Sequence, residues 1–346
     1  MKNKTYFKIN LIYFTAMLSV AVCFVLSYFN IIKGSLLQTL LIQCVVMAGI
    51  PLFMYTILIS KNTKNTFKDA GFKKISAKTI GIVIIIGFVL YLLNTYIATF
   101  FSGIISMFGY EHLPQAETPI THKLFLQEFL LSAVLPGICE EILHRGILLH
   151  CNKKVNNTHS CLIISSLLFG LTHLNIGQFF YAAILGYLIG YTSLVADSIY
   201  AGIIIHFMNN FLSIYFTYGT ALNWPLAKLI SFIESILFSN IITSIILVAV
   251  IILLLIYSYK TLIKCLAKER AKSDIKNIVK HLRLHNLDVT EAQSRIAAAN
   301  KILKNKNVIF EEQAKIKPNF IDNVFLISAI ILGSLITLSS FIWGII

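Results

Sequence analysis

Long apolar stretches separated by short polar segments follow one another along almost the whole chain. Nine of them come near the roughly 20 residues that a helix needs to cross a bilayer core of about 30 Å. Their apolar residues are continuous and do not alternate with a period of two. The pattern predicts an all-α fold, a polytopic transmembrane bundle of about eight or nine helices. The stretches are residues 9–29, 36–60, 80–101, 124–149, 158–174, 178–195, 198–217, 236–258 and 322–344.

The composition agrees with lipid as the surrounding solvent. With 57% hydrophobic and 13% charged residues, the 346-residue chain carries more apolar surface than a soluble domain of this length buries. Only helices and closed barrels satisfy every backbone polar group inside hydrocarbon, and the continuous apolar runs favour helices. The six cysteines show no spacing typical of disulfide frameworks or zinc sites, so we interpret them as buried thiols.

The basic residues, which give the chain a net charge of +14, lie between the apolar stretches. Membrane topology and anionic lipid account for that placement, so we expect the lipid bilayer as a partner and no nucleic acid. If the N-terminus is cytoplasmic, nearly all Lys and Arg residues between the stretches fall on the cytoplasmic side. The positive-inside rule therefore predicts a multi-pass protein of the cell membrane with its N-terminus in the cytoplasm.

The same pattern divides the chain into five parts. Residues 259–320 form a basic segment whose apolar residues are spaced by three and four, with Asn286 as a break between two amphipathic helices. We interpret it either as a cytoplasmic element that docks a protein partner or contacts lipid, or as a solvated linker. The parts are N-terminal transmembrane helices (1–119), a helical core rich in polar residues (120–217), an outer-interface segment with a transmembrane helix (218–258), the basic segment (259–321) and a C-terminal transmembrane helix (322–346).

Ionisable side chains inside the predicted helices are the first candidates for function, because each is costly unless it faces protein or water. Glu141 and Arg145 stand at i and i+4 with the acid first, which favours an ion pair. Glu140 is rotated by about 100° from Glu141 and lacks that partner, so it is the candidate general base. The alternative is that all three residues form one packing network.

Two further helices carry polar residues four positions apart. Phe169 and His173 share one helical face, and His206 and Asn210 share another. A single histidine on an apolar face is usually a satisfied core residue, but three polar clusters on nearby helices favour one common site. Glu140 would supply the base for amide hydrolysis, imidazoles would orient water or donate a proton, and N–H groups would hold the oxyanion.

The sequence offers less support for other hydrolytic chemistries. Ser132, Ser165, Ser166 and Cys139 lack a setting such as Gly-x-Ser-x-Gly, which disfavours covalent catalysis. No His-Glu-x-x-His helix occurs in the sequence, although Glu140, His173 and His206 could together bind Zn²⁺ as a His₂Glu site.

These residues resemble the motifs of the CAAX-protease and bacteriocin-processing family, the Abi-type intramembrane endopeptidases. The three motifs stand in the family's order, and the resemblance covers about residues 120–217. They are Glu140-Glu141-x-x-x-Arg145, Phe169-x-x-x-His173 and His206-x-x-x-Asn210.

The resemblance implies a role for each motif residue. Glu140 and His173 would activate the water, His206 and Asn210 would hold the oxyanion, and a structural role would fall to Glu141, Arg145 and Phe169. It implies an intramembrane endopeptidase that acts on a membrane-associated peptide or protein by a glutamate mechanism without a cofactor. A zinc-dependent version of the same protease is the alternative.

Two other classes of function remain open. The same fold could be a non-catalytic membrane scaffold or a bacteriocin self-immunity protein, which the complete motifs disfavour. A transporter would use Glu140 and the histidines as a proton relay, but the sequence shows no paired halves. The catalytic hypothesis also makes a geometric demand, because Glu140 and His173 differ in depth by about 10 Å along straight helices. We therefore expect residues 173–177 to turn within the protein.

Overall fold

The computed structural model describes residues 2–111, 120–154, 157–237, 241–284 and 318–344, with residues 293, 294, 296, 297, 299 and 300 between the last two ranges. These residues are almost entirely helical, and no strand occurs among them. In chain order the helices are Lys2–Tyr28 (α1), Ser35–Ser60 (α2), Thr63–Asp69 (α3), Ala77–Ser106 (α4), 122–151 (α5), Thr158–Leu171 (α6), Ile176–Ala196 (α7), Ile199–Ala221 (α8), Pro225–Leu237 (α9), Ile241–Leu284 (α10) and Phe320–Trp343 (α11).

Eight of the nine predicted apolar stretches each coincide with one helix, and the described part of the ninth, 236–258, lies mostly on α10. This confirms the all-α polytopic bundle. Among the described residues, seven helices are long and apolar enough to cross a membrane: α1, α2, α4, α7, α8, α10 and α11. The two predicted stretches outside this group form α5 and α6. Helix α6 has only 14 residues, and α5 carries most of the acidic and basic side chains singled out above.

Two large apolar clusters hold the bundle together, and α5 belongs to the first of them. The first packs α1 against α2, α5, α6 and α11, and the second packs α4 against α7, α8 and α10. Large apolar side chains on the outward faces of the helices are exposed. A surface of this kind is expected where the solvent is hydrocarbon.

The cysteine interpretation holds only in part. Cys139, Cys151 and Cys161 are buried, whereas Cys44 and Cys265 are exposed, and all the cysteines are free thiols. A residue in an apolar run need not be buried in protein when the surrounding lipid is itself apolar.

Helix α5 is not a regular α-helix along its whole length. Residues Phe129–Val134 and Ile142–Cys151 have π-helical hydrogen bonding, on either side of the regular turns Leu135–Glu141 that carry both glutamates. The N–H of Leu135, for example, donates to the carbonyl of Leu130, five residues earlier. Each π turn holds an additional residue and changes the direction of the side chains that follow.

Helix α10 extends well beyond the stretch that composition assigns to the membrane. It has 44 residues and continues without a break past residue 258. Tyr259, Ile263 and Leu266 are buried in the cluster with α4, α7 and α8. The rest of the basic segment, including Asn286, lies mostly outside the described residues, so its two amphipathic helices and its docking role stay predictions.

Asp197, between α7 and α8, is the centre of an ionic group that we call the Asp197 cluster, with Lys73, Lys153 and Arg270. Lys73 and Lys153 donate hydrogen bonds to its carboxylate, at 3.1 Å for Lys153, and Arg270 lies 3.4 Å away. Burial alone would raise the pKa of Asp197, but the three cations outweigh it and hold that pKa below its ordinary value. The cluster ties α10 to the connections before α4 and after α5.

Candidate active site

Glu141 lies at the centre of a fully buried ionic group. Its Oε1 accepts a hydrogen bond from Nη1 of Arg145 at 2.7 Å, the ion pair expected from their spacing. The same oxygen lies 3.0 Å from Nδ1 of His206, so the imidazole donates its Nδ1–H to the carboxylate. Arg145 also donates from Nη2 to the carbonyl of Gly186 at 3.0 Å. One acid therefore joins α5 to α8 directly and to α7 through its arginine.

The Phe169 ring is the packing partner of this ionic group, and we call Glu141, Arg145, His206 and Phe169 the Glu141 cluster. The guanidinium carbon of Arg145 lies 4.4 Å from the centre of the ring. The ring makes edge-on contacts with His206 at 5.4 Å and with His173 at 5.2 Å, between ring centroids. The ring of His144 lies 5.0 Å away in the same edge-on arrangement. Phe169 thus packs against an arginine and three imidazoles, which come from α5, α8 and the connection after α6.

Glu140 points away from the Glu141 cluster, as their 100° rotation predicts. It is partly buried, and its Oε1 accepts a hydrogen bond from Nε2 of Gln43 on α2 at 2.8 Å. It lines a cavity of about 200 Å³, the Glu140 cavity, together with His173. The other polar lining residues are Thr39, Gln43, Thr172 and Gln178, and the apolar ones are Val20, Phe24, Ile42 and Met47 from α1 and α2.

The connection between α6 and α7 brings His173 to this cavity. Helix α6 ends at Leu171, Leu174 adopts a left-handed conformation with φ +51°, and the Asn175 side chain caps α7 by accepting from the N–H of Gly177. The expected turn within the protein is therefore present. Nδ1 of His173 lies 2.9 Å from the carbonyl of Phe169, so Nδ1 carries the proton and Nε2 the lone pair.

Asn210 belongs to a separate polar network. Its Nδ2 donates to the carbonyl of Ser132 on α5 at 3.0 Å, and its Oδ1 accepts from Asn209 at 3.1 Å. Asn209 in turn accepts from Asn94 on α4 at 3.2 Å. The structure thus brings Glu140 and His173 to one cavity, while His206 and Asn210 are not among the residues that line it.

Three residues of the site were missed by the sequence reasoning. Gln43 bonds Glu140, and Thr172 lines the cavity. His144 is fully buried, with Nδ1 2.9 Å from the carbonyl of Glu140 and Nε2 3.5 Å from the hydroxyl of Thr172. The available signal was a glutamine within the apolar run of α2 and a histidine beside Arg145.

The zinc alternative requires three donors around one point. The part of the chain that the structure describes contains no group of three or more His, Cys, Asp or Glu side chains placed to hold a metal ion. His206 bonds Glu141 and does not converge with Glu140 and His173. In this arrangement these residues do not fit the His₂Glu site considered above.

Fold and site together define a multi-pass helical membrane protein that encloses ionisable side chains between its helices. Residues 122–212 match the family model described as type II CAAX prenyl endopeptidase, Rce1-like. The match includes all three motifs and supports a CAAX-type intramembrane protease. No curated protein and no solved structure gave a significant match to the chain.

Proposed function

We propose that this protein is an intramembrane endopeptidase in which Glu140 activates a water molecule to hydrolyse a membrane-associated peptide or protein. One observation carries the proposal: Glu140 on α5 and His173 in the connection between α6 and α7, from two of the family's motifs, line the same cavity. A base and an imidazole around one small polar space are what water activation requires.

In the proposed reaction Glu140 accepts a proton from water as the oxygen adds to the peptide carbonyl. The peptide C–N bond then breaks, the proton passes to the leaving amine, and Glu140 is regenerated. His173 orients the water through Nε2. For the oxyanion we propose the second N–H of the Asn210 amide, beyond the one bound to the Ser132 carbonyl, together with His206. Since neither side chain lines the Glu140 cavity, this role requires both to approach the substrate when it binds.

The Glu141 cluster would keep this machinery in place. Glu141 holds His206 and Arg145 by hydrogen bonds, and the Phe169 ring packs against the imidazole of His206 and the guanidinium of Arg145. Because these groups are buried and bonded to one another, the imidazole of His206 is pre-oriented before substrate arrives. We assign Glu141, Arg145 and Phe169 to structural support of the site.

For the substrate we propose a peptide anchored at the membrane, and a prenylated CAAX-type peptide is the first probe because the matching family is described by that activity. The α1 and α2 side of the cavity is largely apolar, with Val20, Phe24, Ile42 and Met47, which suits an apolar group next to the scissile bond. We further propose that the reaction needs no metal. We place the protein in the cell membrane with the N-terminus in the cytoplasm, on the strength of its basic segments.

The test is peptide cleavage by the full chain purified in detergent. A quenched fluorescent farnesylated CAAX peptide and its unfarnesylated counterpart serve as probes, with products identified by mass spectrometry. Wild type and the control Glu111→Gln, an exposed acid far along the chain from the site, are expected to cleave, whereas Glu140→Gln and His173→Ala are expected to fold and not to cleave.

Two results would contradict the protease proposal, and a third would contradict its metal-free form. Cleavage by Glu140→Gln at the wild-type rate removes the general-base role. Binding of the peptides by the wild type without cleavage favours the scaffold or self-immunity alternative. Stoichiometric zinc whose removal abolishes activity contradicts the metal-free mechanism and leaves the protease.

A further inference from the structure

Gln43 is a buried amide on α2, a helix outside the region that matches the family. Its side chain is 8% exposed, and its Nε2 donates to Oε1 of Glu140 at 2.8 Å. We infer that Gln43 is a positioning residue that orients the Glu140 carboxylate and the water it activates. This inference rests on the proposed function and adds α2 to the site.

The two ends of the Gln43 amide have different surroundings. A carboxylate oxygen accepts hydrogen bonds, so the NH₂ end of the amide faces Glu140. The other end, Oε1, is buried and accepts no hydrogen bond from any residue that the structure describes. The contact with Glu140 is therefore the hydrogen bond that the structure shows for this buried side chain.

The water that Glu140 activates has two O–H groups, one for the Glu140 carboxylate and one for Nε2 of His173. Gln43 takes neither of them. Its N–H holds Oε1 of Glu140, so the carboxylate keeps one direction and the oxygen lone pair of the water is aimed at an incoming peptide carbonyl. Gln43 would thus fix the direction of attack without taking the proton.

The partner of Glu140 is neutral, whereas the partner of the neighbouring Glu141 is a cation. Glu141 is bound by the guanidinium of Arg145, which stabilises its negative charge. Gln43 is neutral, so it orients Glu140 by a hydrogen bond without an ion pair. A carboxylate held by a neutral donor keeps more of its tendency to accept a proton than one held by a cation.

The first measurement separates catalysis from folding. Gln43→Leu is expected to lower kcat for the farnesylated peptide roughly 10- to 100-fold, with KM and the temperature of unfolding close to wild type, because a hydrogen bond to a charged group is lost. The shorter amide in Gln43→Asn is expected to recover part of the rate. Gln38→Leu, the same change five residues earlier on α2, serves as control and is expected to behave as wild type.

The second measurement does not depend on substrate. Dicyclohexylcarbodiimide reacts with protonated carboxyl groups in membranes, and labelling is read by mass spectrometry. Loss of the Gln43 N–H leaves the Glu140 carboxylate less stabilised, so Gln43→Leu is expected to label several-fold faster at Glu140 than wild type. Glu141, which keeps Arg145 and His206, is the internal reference on the same peptide.

Failure of this inference is distinct from failure of the proposed function. Equal labelling of Glu140 in wild type and Gln43→Leu overturns the positioning role even if no peptide is cut. Wild-type kcat in Gln43→Leu overturns it as well, and so does a fall in kcat matched by Gln38→Leu. A wild type that cleaves no peptide while Gln43→Leu labels faster leaves the contact in place and removes the protease proposal.

Discussion

Glu140 and Glu141 are neighbours on α5, yet they lie in two different environments. Glu141 is fully buried, with a hydrogen-bonded arginine and imidazole. Glu140 is partly buried, faces a cavity and is bound by a neutral amide. The difference teaches that the acid with the stronger ionic contacts is the structural one, because an ion-paired carboxylate inside protein is a poor proton acceptor. The acid with the weaker partner is available for chemistry.

The largest expected effect is on activity, from the substitution Glu140→Gln. Loss of a general base lowers the rate by roughly a hundred- to ten-thousandfold, and we expect peptide cleavage to fall by that factor. The amide has nearly the same shape as the carboxylate and keeps a partner in Gln43, so the temperature of unfolding should stay near wild type. Cleavage kinetics and thermal unfolding in the same detergent check both expectations.

The substitution Glu141→Gln should have the opposite effect to Glu140→Gln, with a large loss of stability and a smaller direct loss of activity. Glu141→Gln leaves the buried guanidinium of Arg145 without its counter-charge, and breaking a buried ion pair in this way costs about 3–5 kcal/mol. Thermal unfolding is therefore expected to move well below wild type, with activity lost only as the folded fraction falls. If Glu141→Gln is as stable as wild type but inactive, the roles of the two acids have been exchanged.

A smaller effect is expected where α8 approaches the Glu141 cluster. A Cβ at Gly202 would overlap Oε2 of Glu141, a carboxylate that Arg145 and His206 hold in place through its other oxygen. Gly202→Ala should cost roughly 1–3 kcal/mol, the usual cost of overpacking a core. Gly81→Ala on α4 is the control, since a Cβ there meets no atom within 4 Å, and equal losses in both variants would contradict the packing explanation.

The smallest expected effect lies outside the membrane spans, at the Asp197 cluster. The pKa of Asp197 is held below its ordinary value of 3.8, so its contribution to stability is present above that pH and is lost as the pH falls through the lowered pKa. Asp197→Asn should cost on the order of 1 kcal/mol at neutral pH. The difference from wild type should shrink in acid, and a difference independent of pH would argue against the ionic origin.

The sequence predicted the fold because long apolar runs indicate helices surrounded by lipid, and the polar segments between them indicate contact with water. It also predicted the ion pair of Glu141 with Arg145 and the different direction of Glu140, since both follow from the geometry of one helix. The turn after α6 was expected from depth alone. All of these depend on residues close together in the chain or on regular helical spacing.

Contacts between distant helices could not be predicted in this way. Gln43 lies 97 residues before Glu140, and one glutamine in an apolar run has no pattern that names its partner. The bond between His206 and Glu141 was hidden for the same reason, so His206 was grouped with Glu140. The π turns of α5 add to the difficulty, because they rotate later side chains away from their positions in a regular helix.

The length of α10 determines how far from the membrane spans its Leu284 end lies and how it is connected to them. Its 44 residues make a rod of about 66 Å, roughly twice the thickness of the hydrocarbon core. Arg270 clamps this rod to the carbonyls of Leu194 and Val195 at 3.1 and 3.2 Å. Because the helix is continuous from this contact to Leu284, we expect a displacement at its Leu284 end to reach the end of α7 through Arg270.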